Sequence, residues 1–146
     1  MRNRVDVLHG VNLDQLGRRD PAVYGGEGLA ELERKVKGFA EELGLEPTFW
    51  QTNHEGEFCE QLHRAVERAD GLLLNPGAWT HYSYAIRDAL EVAGLPAVEV
   101  HISNIEERED WRRASVIRDL CVAHVQGKGV EGYRQALGLL AAELQK

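Results

Sequence analysis

Two hydrophobic periods alternate along this chain. Val5-Asp6-Val7-Leu8 is a short apolar run that reads as a first strand. From Leu29 the apolar positions Leu32, Val36, Phe39, Ala40 and Leu43 recur at the helical period, and Gly44 supplies a stop. Pro47 to Thr52 reads as a second strand, and Phe58, Leu62, Ala65, Val66 and Ala69 mark a second helix. Gly71 to Asn75 is a buried strand ended by Pro76-Gly77. Ala85, Ile86, Ala89, Leu90 and Ala93 form a third helix closed by Gly94. Ala97 to His101 is a fourth strand, and a helical stretch follows from about Ile105 into the 110s. Val122 to Gln126 is a fifth, weaker strand. Tyr133, Ala136, Leu137, Leu140, Ala141 and Leu144 give a last amphipathic helix.

Strands alternating with helices predict an α/β fold, a parallel sheet covered on both faces. At this length the expected architecture is a flavodoxin-like three-layer sandwich with strand order 2-1-3-4-5, one domain spanning residues 1–146. Ligands of such sheets bind beyond the carboxyl ends of the strands, where the strand order reverses. His9, His54, His81 and His101, four of the six histidines, fall at or near those ends, so polar chemistry gathers on one edge. One connection stands apart. Residues 9–26 carry four glycines and one proline but no regular period, and strand-to-helix loops are seldom so long unless functional or disordered. Leu13, Leu16, Val23 and Tyr24 within it argue against plain disorder.

Composition narrows the partners. A net charge of −7 disfavours nucleic acid, whose phosphates require a basic face. No apolar run approaches a membrane span. The basic start Met1-Arg2-Asn3-Arg4 is not followed by a signal-peptide core, so a cytoplasmic protein is expected. Cys59 and Cys121 lie far apart in apolar-periodic segments and read as buried free thiols.

Three chemistries compete for the polar edge. Neither the dinucleotide fingerprint nor the phosphate-loop pattern opens the first helix, which weakens nucleotide binding. His54, His81, His101, Glu55 and Glu99 offer metal ligands, but no two have compact ligand spacing. The third chemistry is metal-free acid–base work. Tyrosine is a poor base unless a permanent cation stabilises its phenolate, and Arg19 lies five residues before Tyr24. His101 suits protonation of a leaving group, and Glu99 shares its strand face and could orient the ring. The helix after Ile102-Ser103 offers free backbone N–H groups to a carboxylate, with Arg108 and Arg112 four apart along it. Each residue also has a plain alternative. Tyr24 would pack over the core edge, Arg19 and Asp88 would be solvated charges, His101 would be a structural histidine, and Ser103 would cap a helix with Glu106.

Four ordered segments carry a family resemblance. They are Gly10-x-Asn12-Leu13 with Leu16-Gly17-x-Arg19 and Pro21-x-x-Tyr24-Gly25; Gln51-x-Asn53-His54-Glu55-Gly56-Glu57; Asn75-Pro76-Gly77-Ala78 with Thr80-His81 and Ala85-Ile86-Arg87-Asp88-Ala89-Leu90; and Val98 to Ile105 with Arg108 and Arg112. Gly127-x-Gly129 with Gly132-Tyr133 extends the match into the last helix. Over nearly its whole length the chain resembles type II 3-dehydroquinate dehydratase.

The resemblance implies a lyase that dehydrates 3-dehydroquinate to 3-dehydroshikimate through an enolate, with no cofactor and no metal. The reaction would serve the shikimate pathway of aromatic amino acid biosynthesis or quinate catabolism. It casts Tyr24 as the base at C2, Arg19 as the cation that lowers its pKa, and His101, backed by Glu99, as the acid at the C1 hydroxyl. Asn12 resembles the residue that holds the enolate through a water. Asn75, His81, Arg112 and the backbone of Ile102 and Ser103 resemble the substrate-binding set. Asp88 matches a residue that reaches a neighbouring subunit's site in a homododecamer, a tetramer of trimers. Val11, Asp14, Gln15, Trp79, Tyr82, Tyr84 and Glu106 depart from the usual family residues, none of them at a catalytic match. A degenerate member that only binds a small cyclic acid is the competing reading, and the intact set Tyr24, Arg19 and His101 favours the enzyme.

Overall fold

The computed structural model describes residues 1–24 and 26–146; Gly25, part of the first motif, lies outside the described residues. Five parallel strands, β1 (Arg4–His9), β2 (Glu46–Gln51), β3 (Gly71–Asn75), β4 (Ala97–His101) and β5 (Ala123–Gln126), form one sheet in the order β2-β1-β3-β4-β5. This is the expected flavodoxin-like order. Pro47 is tolerated inside β2 because that strand is at the sheet edge, where its missing N–H costs least.

The helices are α1 (Pro21–Tyr24), α2 (Leu29–Glu42), α3 (Glu55–Arg68), α4 (Tyr84–Ala93) and α5 (Glu131–Leu144). Period-two alternation splits each strand between two cores. Val5, Val7, Leu73, Val98 and Val100 pack with Leu32, Val36 and Ala40 of α2 and with Leu137 and Leu140 of α5. Leu8, Leu72, Leu74 and Ala97 face Phe58, Leu62 and Ala65 of α3 and Ile86, Ala89 and Leu90 of α4. Three residues placed on apolar faces by periodicity, Leu43, Val66 and Ala85, are instead exposed. Cys59 and Cys121 are free but only half-buried.

Two connections matter for the site, one as expected and one not. The long loop is ordered into a 3-10 turn, Leu13–Arg18, followed by α1. Leu13 and Leu16 are buried in the α2–α5 core and pin it down. The expected helix from Ile105 is absent. In its place stand three short 3-10 turns, Ile105–Glu107, Asp110–Arg112 and Arg118–Leu120. Arg108 and Arg112 therefore do not share a helix face.

His9 ends β1 with no exposed surface, and burial lowers its imidazole to about 4. Between that value and the ordinary 6.5 the unfolded chain binds the proton that the folded chain refuses, so stability rises with pH across this window. On acidification from 6.5 to 4, His9 alone should cost about 3 kcal/mol. Urea unfolding at several pH values should show a shallower acid loss in His9→Gln than in the wild type. Equal slopes would contradict this assignment.

Candidate active site

Parallel strands deliver all their carboxyl ends to one edge, and β1 and β3 flank the point where the chain order reverses. A cavity of about 450 Å³ opens there, a size suited to a small metabolite. Its walls come from the loop after β1, from the turn after β3, and from the segment between His101 and Arg112. The backbones meet closely. A Cβ on Gly10 would lie 2.1 Å from the Pro76 carbonyl oxygen, and Gly77 has φ +68, so both positions require glycine.

On one wall the half-buried Tyr24 ends α1. Arg19 Nη2 donates to its hydroxyl at 2.6 Å, with the guanidinium 4.2 Å from the ring centroid. Arg108 Nη1 donates to the same oxygen at 3.0 Å, from 84 residues along the chain. Two permanent cations thus converge on one phenolic oxygen, an arrangement that stabilises negative charge there. Arg18 instead reaches Gln15 at the exposed side of the turn. The strand-two end ties the loop down. Asn53 Oδ1 accepts from the Asn12 N–H at 2.8 Å, and Asn53 Nδ2 donates to Asp14 at 3.1 Å. Asn12 lines the cavity in a left-handed conformation, φ 67, the sole positive-φ residue other than glycine among the described residues.

On another part of the wall β4 places His101, with the fully buried Glu99 two residues earlier on the same strand face. His101 Nε2 lies 2.5 Å from Glu99 Oε2, and that oxygen also accepts from the Thr80 hydroxyl at 2.6 Å. Ser115 Oγ lies 2.8 Å from Glu99 Oε1. Burial pushes the Glu99 carboxyl up, but the hydrogen bond and charge of His101, with Thr80 and Ser115, more than offset it and hold Glu99 below the ordinary carboxylate value. The carboxylate fixes the His101 ring by Nε2 and leaves Nδ1 for a ligand.

Ser103 is not the predicted cap. Its hydroxyl accepts from Arg108 Nη1 at 3.3 Å, and Asn104 Oδ1 caps the short turn by accepting from the Glu106 N–H. His81 Nδ1 lies 2.8 Å from the Ala114 carbonyl oxygen, so Nδ1–H donates and Nε2 faces outward as an acceptor. Burial lowers its pKa and favours that neutral form. Arg112 is held by Glu109 at 2.7 Å and lies 4.1 Å over the Trp111 ring.

Nine of the eleven expected site residues, Asn12, Arg19, Tyr24, Asn75, His81, His101, Ile102, Ser103 and Arg112, line this one cavity. Glu99 sits behind His101. Asp88 does not reach it; it is exposed on α4 beside Tyr84, Arg87 and Glu91. Of the residues in the metal alternative, the two carboxylates are engaged elsewhere: Glu99 accepts from the Thr80 and Ser115 hydroxyls and contacts His101, and Glu55 accepts from Ser83. Among the described residues no group of three or more His, Cys, Asp or Glu is placed to hold a metal ion.

A family model described as "Dehydroquinase class II" matches residues 3–141. The chain belongs to the class II dehydroquinase family. It is 51% identical over 139 residues to the 3-dehydroquinate dehydratase of Pelotomaculum thermopropionicum, covering 95% of this chain and 96% of that one. It is 49% identical over 137 residues to the 3-dehydroquinate dehydratase of Bacillus pumilus, covering 94% and 93%. The crystal structure of type II dehydroquinase from Butyrivibrio crossotus superposes with a TM-score of 0.91 at 37% identity, over 99% of both chains. In this family member, Arg108, Thr80 and Ser115 join the site through contacts that residue spacing does not encode. In the sequence Arg108 stands in the fourth matching segment and as a cation near Ser103, with no signal tying it to Tyr24.

Proposed function

We propose that this chain is a cofactor-free hydro-lyase converting 3-dehydroquinate to 3-dehydroshikimate, in the shikimate pathway or in quinate catabolism. One observation supports it above the others. A phenol under two guanidiniums and a histidine backed by a buried carboxylate line the same cavity. In this reading the Tyr24 phenolate removes the C2 proton and the electron pair moves onto the C3 carbonyl oxygen, giving an enolate. Asn12 holds that oxygen through a water. Collapse of the enolate expels the C1 hydroxyl, which takes a proton from His101 and leaves as water. Tyr24 then ends protonated and His101 neutral, so one proton returns from the phenol to the imidazole through solvent. Arg19 and Arg108 stabilise the phenolate, and Glu99 stabilises the imidazolium. Neutral His81 accepts from a ring hydroxyl, Asn75 holds another, and Arg112 with the Ile102 and Ser103 backbone takes the carboxylate.

The assembly and setting belong to the same proposal. Residues 1–146 act as one catalytic domain, in the cytoplasm, as a homododecamer of four trimers in which Asp88 serves a neighbouring site. Exposed Tyr82, Tyr84 and Val92 around α4 are consistent with a covered face. No helix among the described residues is long and apolar enough to cross a membrane.

Proton NMR of a reaction mixture tests the chemistry. The vinylic proton of 3-dehydroshikimate should appear as the C2 methylene of 3-dehydroquinate disappears. Unchanged substrate signals with folded protein would reject the reading. Arg108→Gln should lower kcat roughly 10- to 100-fold, the scale of one hydrogen bond to a charged group. Unchanged turnover would remove Arg108 from the mechanism.

A further inference from the structure

Tyr133 sits in the first turns of α5 with no exposed surface, yet its hydroxyl is hydrogen-bonded twice. Its oxygen lies 2.9 Å from His9 Nε2 and 2.9 Å from Asn75 Nδ2. The ends of β1 and β3 and the start of α5 therefore meet at one atom. Asn75 lines the cavity, whereas His9 and Tyr133 lie behind it.

Counting hydrogens orients the whole chain of contacts. An amide nitrogen only donates, so the Tyr133 oxygen accepts from Asn75. The single hydroxyl hydrogen then goes to His9 Nε2, which places the ring proton on Nδ1. With the proton on Nε2 instead, the hydroxyl hydrogen would be buried without an acceptor. The arrangement is not free of cost, because His9 Nδ1 is buried with no partner. The other end of the amide is held too, since Asn75 Oδ1 accepts from the Gly77 N–H at 3.2 Å. One N–H and one lone pair of Asn75 are left over for a ligand.

We propose that Tyr133 is a positioning residue for substrate: with the Gly77 N–H fixing the oxygen end of the Asn75 amide, the Tyr133 hydroxyl takes one of its two N–H groups and holds the side chain so that the other meets the cavity. The inference rests on the dehydratase reading and deepens it. An amide that loses this anchor is freer to rotate and presents its donor to the cavity only part of the time. A ring hydroxyl that needs that donor would then bind more weakly, in the ground state and the transition state alike.

The test is a double-mutant cycle read as KM and kcat separately. Tyr133→Phe should raise KM about three- to tenfold with kcat nearly unchanged. In an Asn75→Ala background, Tyr133→Phe should have no further effect, because the residue it positions is gone. The same KM increase in both backgrounds would overturn the proposal, since a merely structural role does not depend on Asn75. A second variant guards against misfolding. His9→Leu with Tyr133→Phe leaves one unpaired Asn75 N–H where Tyr133→Phe alone leaves two unpaired groups, which should recover part of the stability while KM stays raised. A KM returning to the wild-type value in that variant would also overturn the proposal. Wild-type protein that leaves 3-dehydroquinate unchanged overturns the dehydratase reading and this inference with it.

Discussion

Tyr24→Phe is expected to lower kcat by roughly 10²- to 10⁴-fold, the range of a lost general base, while the protein stays folded. The substitution removes one oxygen and little else. The ring remains in contact with Arg19, whose guanidinium lies 4.2 Å from its centroid, so packing at the cavity wall is kept. Both Arg19 and Arg108 lose an acceptor, which leaves the cavity more positive and does not weaken binding of an anionic substrate. KM should therefore change little, the signature of an interaction used mainly in the transition state. If Tyr24 were only a loop aromatic covering the core edge, phenylalanine would preserve turnover.

His101→Ala should cost a similar factor in kcat, again roughly 10²- to 10⁴-fold, and should also reveal how Glu99 is held. In the wild type the Glu99 carboxyl lies below its ordinary value, so its contribution to stability is fully present above the unfolded carboxylate pKa. It is lost as pH falls through the depressed value. Without His101, burial is opposed by the Thr80 and Ser115 hydroxyls and by Arg118, whose Nε lies 4.0 Å from Glu99 Oε1. The depression should then shrink, so the variant loses less stability on acidification than the wild type does. Breaking a buried pair in this way costs about 3–5 kcal/mol at neutral pH. Thermal unfolding of both proteins across pH checks the sign. Parallel curves would mean that Glu99 does not depend on His101 for its charge.

Much of this architecture is legible in apolar spacing, because each strand and each long helix buries one defined face. The segment after Ile105, expected as a helix, is the one where that signal is thin. Between Ile105 and Ile117 no residue other than these two is buried, so no apolar stripe anchors a continuous helix. The charges there pair at three residues apart, Arg112 with Glu109 and Arg113 with Asp110, which suits the tighter 3-10 turn. The same spacing, Leu13 and Leu16, was the available sign that the first loop is ordered. Within the site, Glu99 and His101 were readable as neighbours because residues two apart share a strand face. Arg108 on Tyr24, Thr80 and Ser115 on Glu99, and Tyr133 on Asn75 were not. They are distant in sequence and meet only because the parallel sheet brings its strand ends to one edge.

The central claim is that the residues of this cavity dehydrate 3-dehydroquinate unaided. The most direct measurement is the ultraviolet absorbance of the conjugated enone after 3-dehydroquinate is added to exhaustively chelated protein. A continuous rise is predicted, with an initial rate proportional to protein and unchanged by chelation. A flat trace from folded protein would contradict the account.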